Sequence, residues 1–87
     1  MSESEKAPKV TVFSTSNCPW CVKVKEFLSQ MNVAFQAIDV GSDKEAAKEM
    51  VQKTRQRGVP VVKVMERYIV GFDQEAIKSA LKEEEII

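Results

Sequence analysis

Eighty-seven residues weighing 9.8 kDa suffice for one small domain and cannot fill two separate cores. Hydrophobic residues make up 44% of the chain and charged residues 30%, which excludes both the polar excess of a disordered chain and the apolar excess of a membrane protein. Thirteen basic side chains balance thirteen acidic ones, so no net field draws the chain to nucleic acid or anionic lipid, and no apolar run approaches the ~20 residues of a spanning helix.

Residues 1–8 are polar and aperiodic and are expected to form a flexible tail, with a single domain over 9–87. The opening MSESEKAPK has no apolar segment of a signal peptide, so a soluble, cytoplasmic protein is expected. Lys9 to Ser14 combines β-branched and aromatic residues in alternation and predicts a first strand, at least partly buried on both faces. Pro19 suits the first turn of a helix, and Val24, Phe27, Leu28 and Met31 recur at helical spacing, giving a first helix from about Cys18 to Met31. Val33 to Val40 reads as a second strand stopped by Gly41. Ser42 with Glu45 three residues on matches a capping box, and Ala46, Ala47, Met50 and Val51 form one stripe of a second helix over about Asp43 to Thr54.

A basic loop, Arg55-Gln56-Arg57-Gly58, leads into the valine-dense run Val59 to Met65, a strand with Pro60 at its edge or entrance. A tight turn at Glu66-Arg67 predicts an antiparallel hairpin with Tyr68-Ile69-Val70, ended by Gly71. Asp73 is placed as the N-cap of a last helix carrying Ala76, Ile77, Ala80 and Leu81, whose end should fray because Glu83-Glu84-Glu85 crowds its negative pole. The order is βαβ, a helix, then ββα. A right-handed crossover makes the first two strands parallel, and the hairpin completes a four-stranded mixed sheet flanked by three helices.

The chain contains two cysteines and no histidine. Serine–histidine and cysteine–histidine catalytic pairs are therefore excluded, and two thiols alone cannot close the four-ligand shell of a structural zinc. Cys18-Pro19-Trp20-Cys21 falls where the first strand meets the first helix, and there the free N–H groups and the positive end of the peptide dipoles favour a thiolate over a thiol. Cys18, at the cap, is the sulfur so placed and should titrate below the ~8.5 of a free thiol. Cys21, one turn inward, is shielded yet close enough to attack a mixed disulfide, so Cys18 attacks and Cys21 resolves. Two alternatives stand beside this reading: a pair of small buried hydrophobes, or half of a metal site completed by a second chain. Trp20 either lines a substrate groove or covers the sulfurs. Lys23 and Lys25 read most simply as solvated.

Thr11 to Cys21, the Val59-Pro60 step and Gly71-Phe72-Asp73, in that order, resemble the glutaredoxins of the thioredoxin superfamily, and in particular small glutaredoxin-like redoxins that include electron donors of ribonucleotide reductase. The resemblance spans about Lys9 to Leu81. It implies a thioredoxin-like fold and a cis peptide before Pro60, beside the active site, with the backbone of Val59 available to a bound peptide or glutathione. Glutathione-dependent members commonly place a lysine three residues before the first cysteine; Thr15 stands there in this chain. Arg55 and Arg57 could supply a substitute cation for a carboxylate, or be merely solvated. The segment at Gly71, Phe72 and Asp73 receives the γ-glutamyl end of glutathione in the family, but Phe72 replaces a small residue and Gln74 the second acid, and Asp73 is explained equally well as an N-cap.

The expected protein is thus a monomeric dithiol–disulfide oxidoreductase that needs no bound cofactor and no metal. It would reduce disulfides of client proteins or mixed disulfides of glutathione, and be re-reduced by glutathione or by a flavoenzyme of the thioredoxin-reductase type, with glutathione serving it poorly. Its potential is expected between about −270 and −200 mV, the span of thioredoxins and glutaredoxins. The alternative is an iron–sulfur cluster carrier in which Cys18 of each of two protomers and external glutathione hold the cluster. Cys21 and Pro19 argue against it.

Overall fold

The structure is a computed structural model that describes residues 9–87; the tail expected over 1–8 lies outside the described residues. Its elements run β1 (Val10–Ser14), α1 (Pro19–Gln30), β2 (Gln36–Asp39), α2 (Lys44–Thr54), β3 (Val61–Val64), β4 (Arg67–Val70) and α3 (Gln74–Glu83). None of these helices is long and apolar enough to cross a membrane. The sheet order is β2-β1-β3-β4, with β2 parallel to β1 and both β3 and β4 antiparallel to their neighbours.

Alternation along the strands sorts the core onto two faces. Val10 and Val12 of β1 lie opposite Val64 and Val62 of β3, and these four fully buried valines meet Val24 and Leu28 of α1 and Ile77 and Leu81 of α3. On the other face Phe13 and Val61 meet Ala46 and Met50 of α2. The edge strand β2 is mostly exposed, yet Phe35 just before it packs on the first core and Ile38 on the second.

Several boundaries differ from the sequence expectation for local reasons. The second strand is shorter because Val33 belongs to the end of α1: Asn32, at φ +59°, reverses the chain, and the N–H groups of Val33 and Asn32 donate to the carbonyls of Leu28 and Ser29. Asp43, not Ser42, caps α2 through the Ala46 N–H at 3.0 Å. Ser42 is drawn into the preceding turn, where its hydroxyl donates to the Asp39 carbonyl at 3.4 Å. The hairpin turns one residue early, with Met65 at φ +56° and Arg67 already in β4. The expected fraying of α3 gives way to a formed cap. Glu85 takes φ +61°, the Ile86 N–H donates to the Leu81 carbonyl at 2.8 Å, and Arg67 pairs with both Glu83 and Glu84.

Candidate functional site

The cysteine pair sits at the C-terminal end of β1, where the chain enters α1. Cys18 is the N-cap, with extended backbone at φ −134° and ψ 99°, and Pro19 follows as the first helical residue. The Cys18 sulfur accepts the Cys21 N–H at 3.1 Å, and its carbonyl accepts the N–H groups of Cys21 and Val22 at 3.1 and 3.3 Å. The sulfur thus occupies the place that a serine or aspartate oxygen takes at an ordinary helix start. The two cysteines are joined as a disulfide, with Cα atoms 5.2 Å apart. They differ in access: Cys21 is 1% exposed, whereas Cys18 is half-buried.

Two neighbouring segments frame the pair in the topology. The Val59–Pro60 peptide bond is cis, as the resemblance implied, and Pro60 is buried at the entrance of β3, antiparallel to β1. The Gly71 N–H donates to the Pro60 carbonyl at 2.8 Å, and Gly71 holds φ +85° with open space around its α-carbon, so backbone conformation rather than crowding explains the glycine. Beyond it, Phe72 lies between Trp20, 6.2 Å away with rings tilted at 45°, and Phe27, 5.6 Å away edge-on. Trp20 is 57% exposed and carries the Lys23 ammonium 5.9 Å above its ring. Asp73 caps α3 through the Ala76 N–H at 3.1 Å.

Other residues singled out from the sequence fall less close together. Thr15 is half-buried in the loop after β1. Arg55 ends α2 in the left-handed region at φ +61°. Arg57 is exposed and lines a cavity of about 520 Å³ with Val40, Lys44, Ala47, Lys48, Met50, Val51 and Gln52, so it lies along α2. Gln56 escaped the sequence reading. Its amide accepts the Gly58 N–H at 2.7 Å and donates to the Gly58 carbonyl at 3.0 Å and to the Thr54 hydroxyl at 3.3 Å, folding the loop that delivers Val59 and Pro60. The sequence announced the loop from Arg55 to Gly58, but only the turn-forming Gly58 hinted at how Gln56 folds it.

A second polar cluster lies beneath α2. Glu49 accepts hydrogen bonds from the Tyr68 hydroxyl at 2.5 Å and the Lys63 ammonium at 2.9 Å. The bond from Tyr68, then that from Lys63, holds the Glu49 carboxyl below its ordinary range. The bond to Glu49 raises Lys63, while desolvation, followed by the bond to Glu49, raises Tyr68. Among the described residues no three His, Cys, Asp or Glu side chains converge on a possible metal position.

The glutaredoxin family profile matches residues 10–69, which include the cysteine pair, the cis peptide and most of β4. The chain belongs to the glutaredoxin family. Among its relatives is an uncharacterised glutaredoxin-like 8.6 kDa protein in the rubredoxin operon of Clostridium pasteurianum, 36% identical over 73 residues, covering 84% of this chain and 97% of that one. A glutaredoxin from Archaeoglobus fulgidus superposes with a TM-score of 0.78 over 86% of this chain and 87% of its own; at 24% identity that likeness speaks to the thioredoxin-like fold alone. A buckwheat glutaredoxin solved in complex with glutathione is 28% identical, with a TM-score of 0.64 over 90% of this chain and 68% of that one. Membership of the family, together with Cys18 and Cys21 joined at a helix start, supports thiol–disulfide oxidoreductase chemistry.

Proposed function

We propose that the protein reduces disulfides of client proteins by a two-cysteine exchange. The observation that carries this reading is the asymmetry of the pair: Cys18 is half-buried at the cap with an N–H directed at its sulfur, and Cys21 is buried behind it. In the reduced protein that donor and the helix dipole stabilise a Cys18 thiolate, which attacks one sulfur of the client disulfide. The client's other sulfur leaves as a thiolate and takes a proton from solvent. Cys21 then gives up its proton and attacks the Cys18 sulfur, releasing the second client thiol and leaving the Cys18–Cys21 disulfide. Two electrons and two protons pass to the client.

Two glutathione molecules, leaving as their disulfide, or a flavoenzyme of the thioredoxin-reductase type would restore the dithiol. The flavoenzyme is the reductant we favour. Thr15 offers no cation, Asp73 is engaged as a cap, and Phe72 is packed between Trp20 and Phe27, where the family places a small residue. The buckwheat complex supplies the contrary precedent, and on that alternative the backbone of Val59 and Arg57 would contribute to a glutathione site.

The test is steady-state reduction of insulin by wild type, Cys18→Ser and Cys21→Ser. Cys18→Ser should be inactive, while Cys21→Ser should accumulate a client adduct on Cys18; activity retained by Cys18→Ser would refute the roles. Oxidised wild type mixed with glutathione and its reductase, or with NADPH and thioredoxin reductase, distinguishes the reductants. Rapid turnover with glutathione that is lost in Arg57→Ala would reverse our preference.

A further inference from the structure

The groove of about 520 Å³ along α2 is a feature that the two-cysteine exchange leaves unused. Its floor is apolar, built from Val40, Ala47, Val51 and the buried Met50, and its polar rim is Lys44, Lys48, Gln52 and Arg57. Among the described residues no carboxylate lines it. Of the acids beside it in sequence, Asp39 accepts the Gly41 N–H at 2.8 Å, Asp43 the Ala46 N–H at 3.0 Å, Glu49 is bonded to Lys63 and Tyr68, and Glu45 is exposed in the first turn of α2 without lining the groove. None of Lys44, Lys48 and Arg57 forms an ion pair with a carboxylate among the described residues.

The placement of the two lysines works against the helix that carries them. Lys44 is the first residue of α2, where the dipole disfavours a cation, and Lys48 lies four residues on, where a like charge repels it. Lys48 has Glu45 three residues before it as a favourable neighbour, but helix stability does not account for Lys44. The rest of α2 shows the opposite pattern, with Glu45 in the first turn and Lys53 in the last. Two of its lining residues adjoin the segments that carry the reactive groups: the Val40 N–H donates to the carbonyl of Ser14, four residues before Cys18, and Arg57 precedes the cis peptide by two residues.

Resting on the thiol–disulfide reading above, we propose that this groove docks an acidic segment of the client polypeptide, with carboxylates on the cationic rim and an apolar side chain on the floor, beside the disulfide presented to Cys18. Net charge is balanced over the whole chain, so attraction confined to this edge orients the encounter instead of raising non-specific affinity.

The experiment uses pre-reduced full-length protein in single turnovers, with oxidation of the Cys18–Cys21 pair measured by acid quench and mass. The substrates are two cysteine peptides of matched length, one flanked by aspartate and leucine and the other by lysine and leucine, each as its mixed disulfide with 2-mercaptoethanol. Bis(2-hydroxyethyl) disulfide and glutathione disulfide serve as small references. The acidic peptide should react about tenfold faster than the basic one at low salt. Molar salt should erase that preference, and so should Lys44→Glu with Lys48→Glu, which leaves the rate with the neutral small disulfide unchanged. Both lysines are exposed, so reversal is compatible with folding; Lys44→Gln with Lys48→Gln, checked by its melting curve, should fall between. Equal rates for the two peptides in wild type would overturn the docking, as would an equal slowing of glutathione disulfide by the reversal, which would assign the cations to glutathione. Failure of the neutral disulfide to oxidise wild type would instead overturn the oxidoreductase reading itself, and the docking with it.

Discussion

The two faces of the sheet are built on different principles. One is covered by α1 and α3 and closed by aliphatic side chains, with Val10, Val12, Val24, Leu28, Val62, Val64, Ile77 and Leu81 fully buried. The other carries α2 alone, over the smaller set Phe13, Ala46, Met50 and Val61, and relies on Glu49 bridging Tyr68 and Lys63 to hold the helix down. Beyond that bridge the face lies open as a cavity of about 590 Å³ lined by Thr11, Gln36, Lys63 and Met65 among others. The cysteines ride on the helix of the close-packed face, which fixes their geometry. The loop carrying the cis peptide hangs from the looser one. The cysteines and the cis peptide are thus supported by faces of unequal packing.

Cutting a core side chain on each face gives the largest contrast. Leu28→Ala should lose about 2–5 kcal/mol in urea unfolding, toward the upper end because two helices and the sheet hold the void open. Met50→Ala should fall at the lower end, since α2 can settle inward. Equal losses would show that the second face is as rigid as the first. Next, Asp73→Ala should cost about 1 kcal/mol as a lost helix cap, with Asp43→Ala similar. If Asp73→Ala also abolished turnover with glutathione while folding was kept, Asp73 would be a ligand group as well as a cap.

Tyr68→Phe should cost about 0.5–1.5 kcal/mol and loosen hydrogen exchange in α2 more than in α1. The smallest effect is that of pH on the same bridge. Glu49 is lowered from 4.5 in the fold, so its contribution is present above the ordinary carboxylate range and lost as pH falls through the depressed value. Lys63 and Tyr68 are raised from 10.5 and 10.0, so theirs is present below those values and lost as pH rises through the raised ones. Half-exposed partners keep both changes small. Glu49→Gln should flatten the two limbs together, as read from melting temperature against pH.

The features legible in the sequence are those made by neighbours along the chain. The stripe Val24, Phe27, Leu28 and Met31 announces α1, Pro19 and Cys18 announce its start, and the valines of Val59 to Val64 announce a central strand, whose partner β1 only the structure supplies. Where two adjacent residues could do the same work, the choice was hidden: Ser42 and Asp43 both suit a helix cap, and the Asp39 turn takes the serine. Contacts between distant positions left no trace at all. Glu49 finds Lys63 and Tyr68 at separations of 14 and 19 residues, and Trp20 meets Phe72 across most of the chain. The cationic rim is also non-local, since Arg57 joins Lys44 and Lys48 only once the loop after α2 has folded back.

Trp20 is the only tryptophan in the chain, sits between the two cysteines and is more than half exposed. A disulfide next to an indole quenches its emission, and a dithiol does so far less. Every photon of tryptophan fluorescence therefore comes from a ring within a residue or two of both sulfurs, and the protein carries its own optical gauge of oxidation state. Stopped-flow emission should follow each half of the exchange in unlabelled protein, with any client that displaces the ring from Phe72 adding a signal of its own.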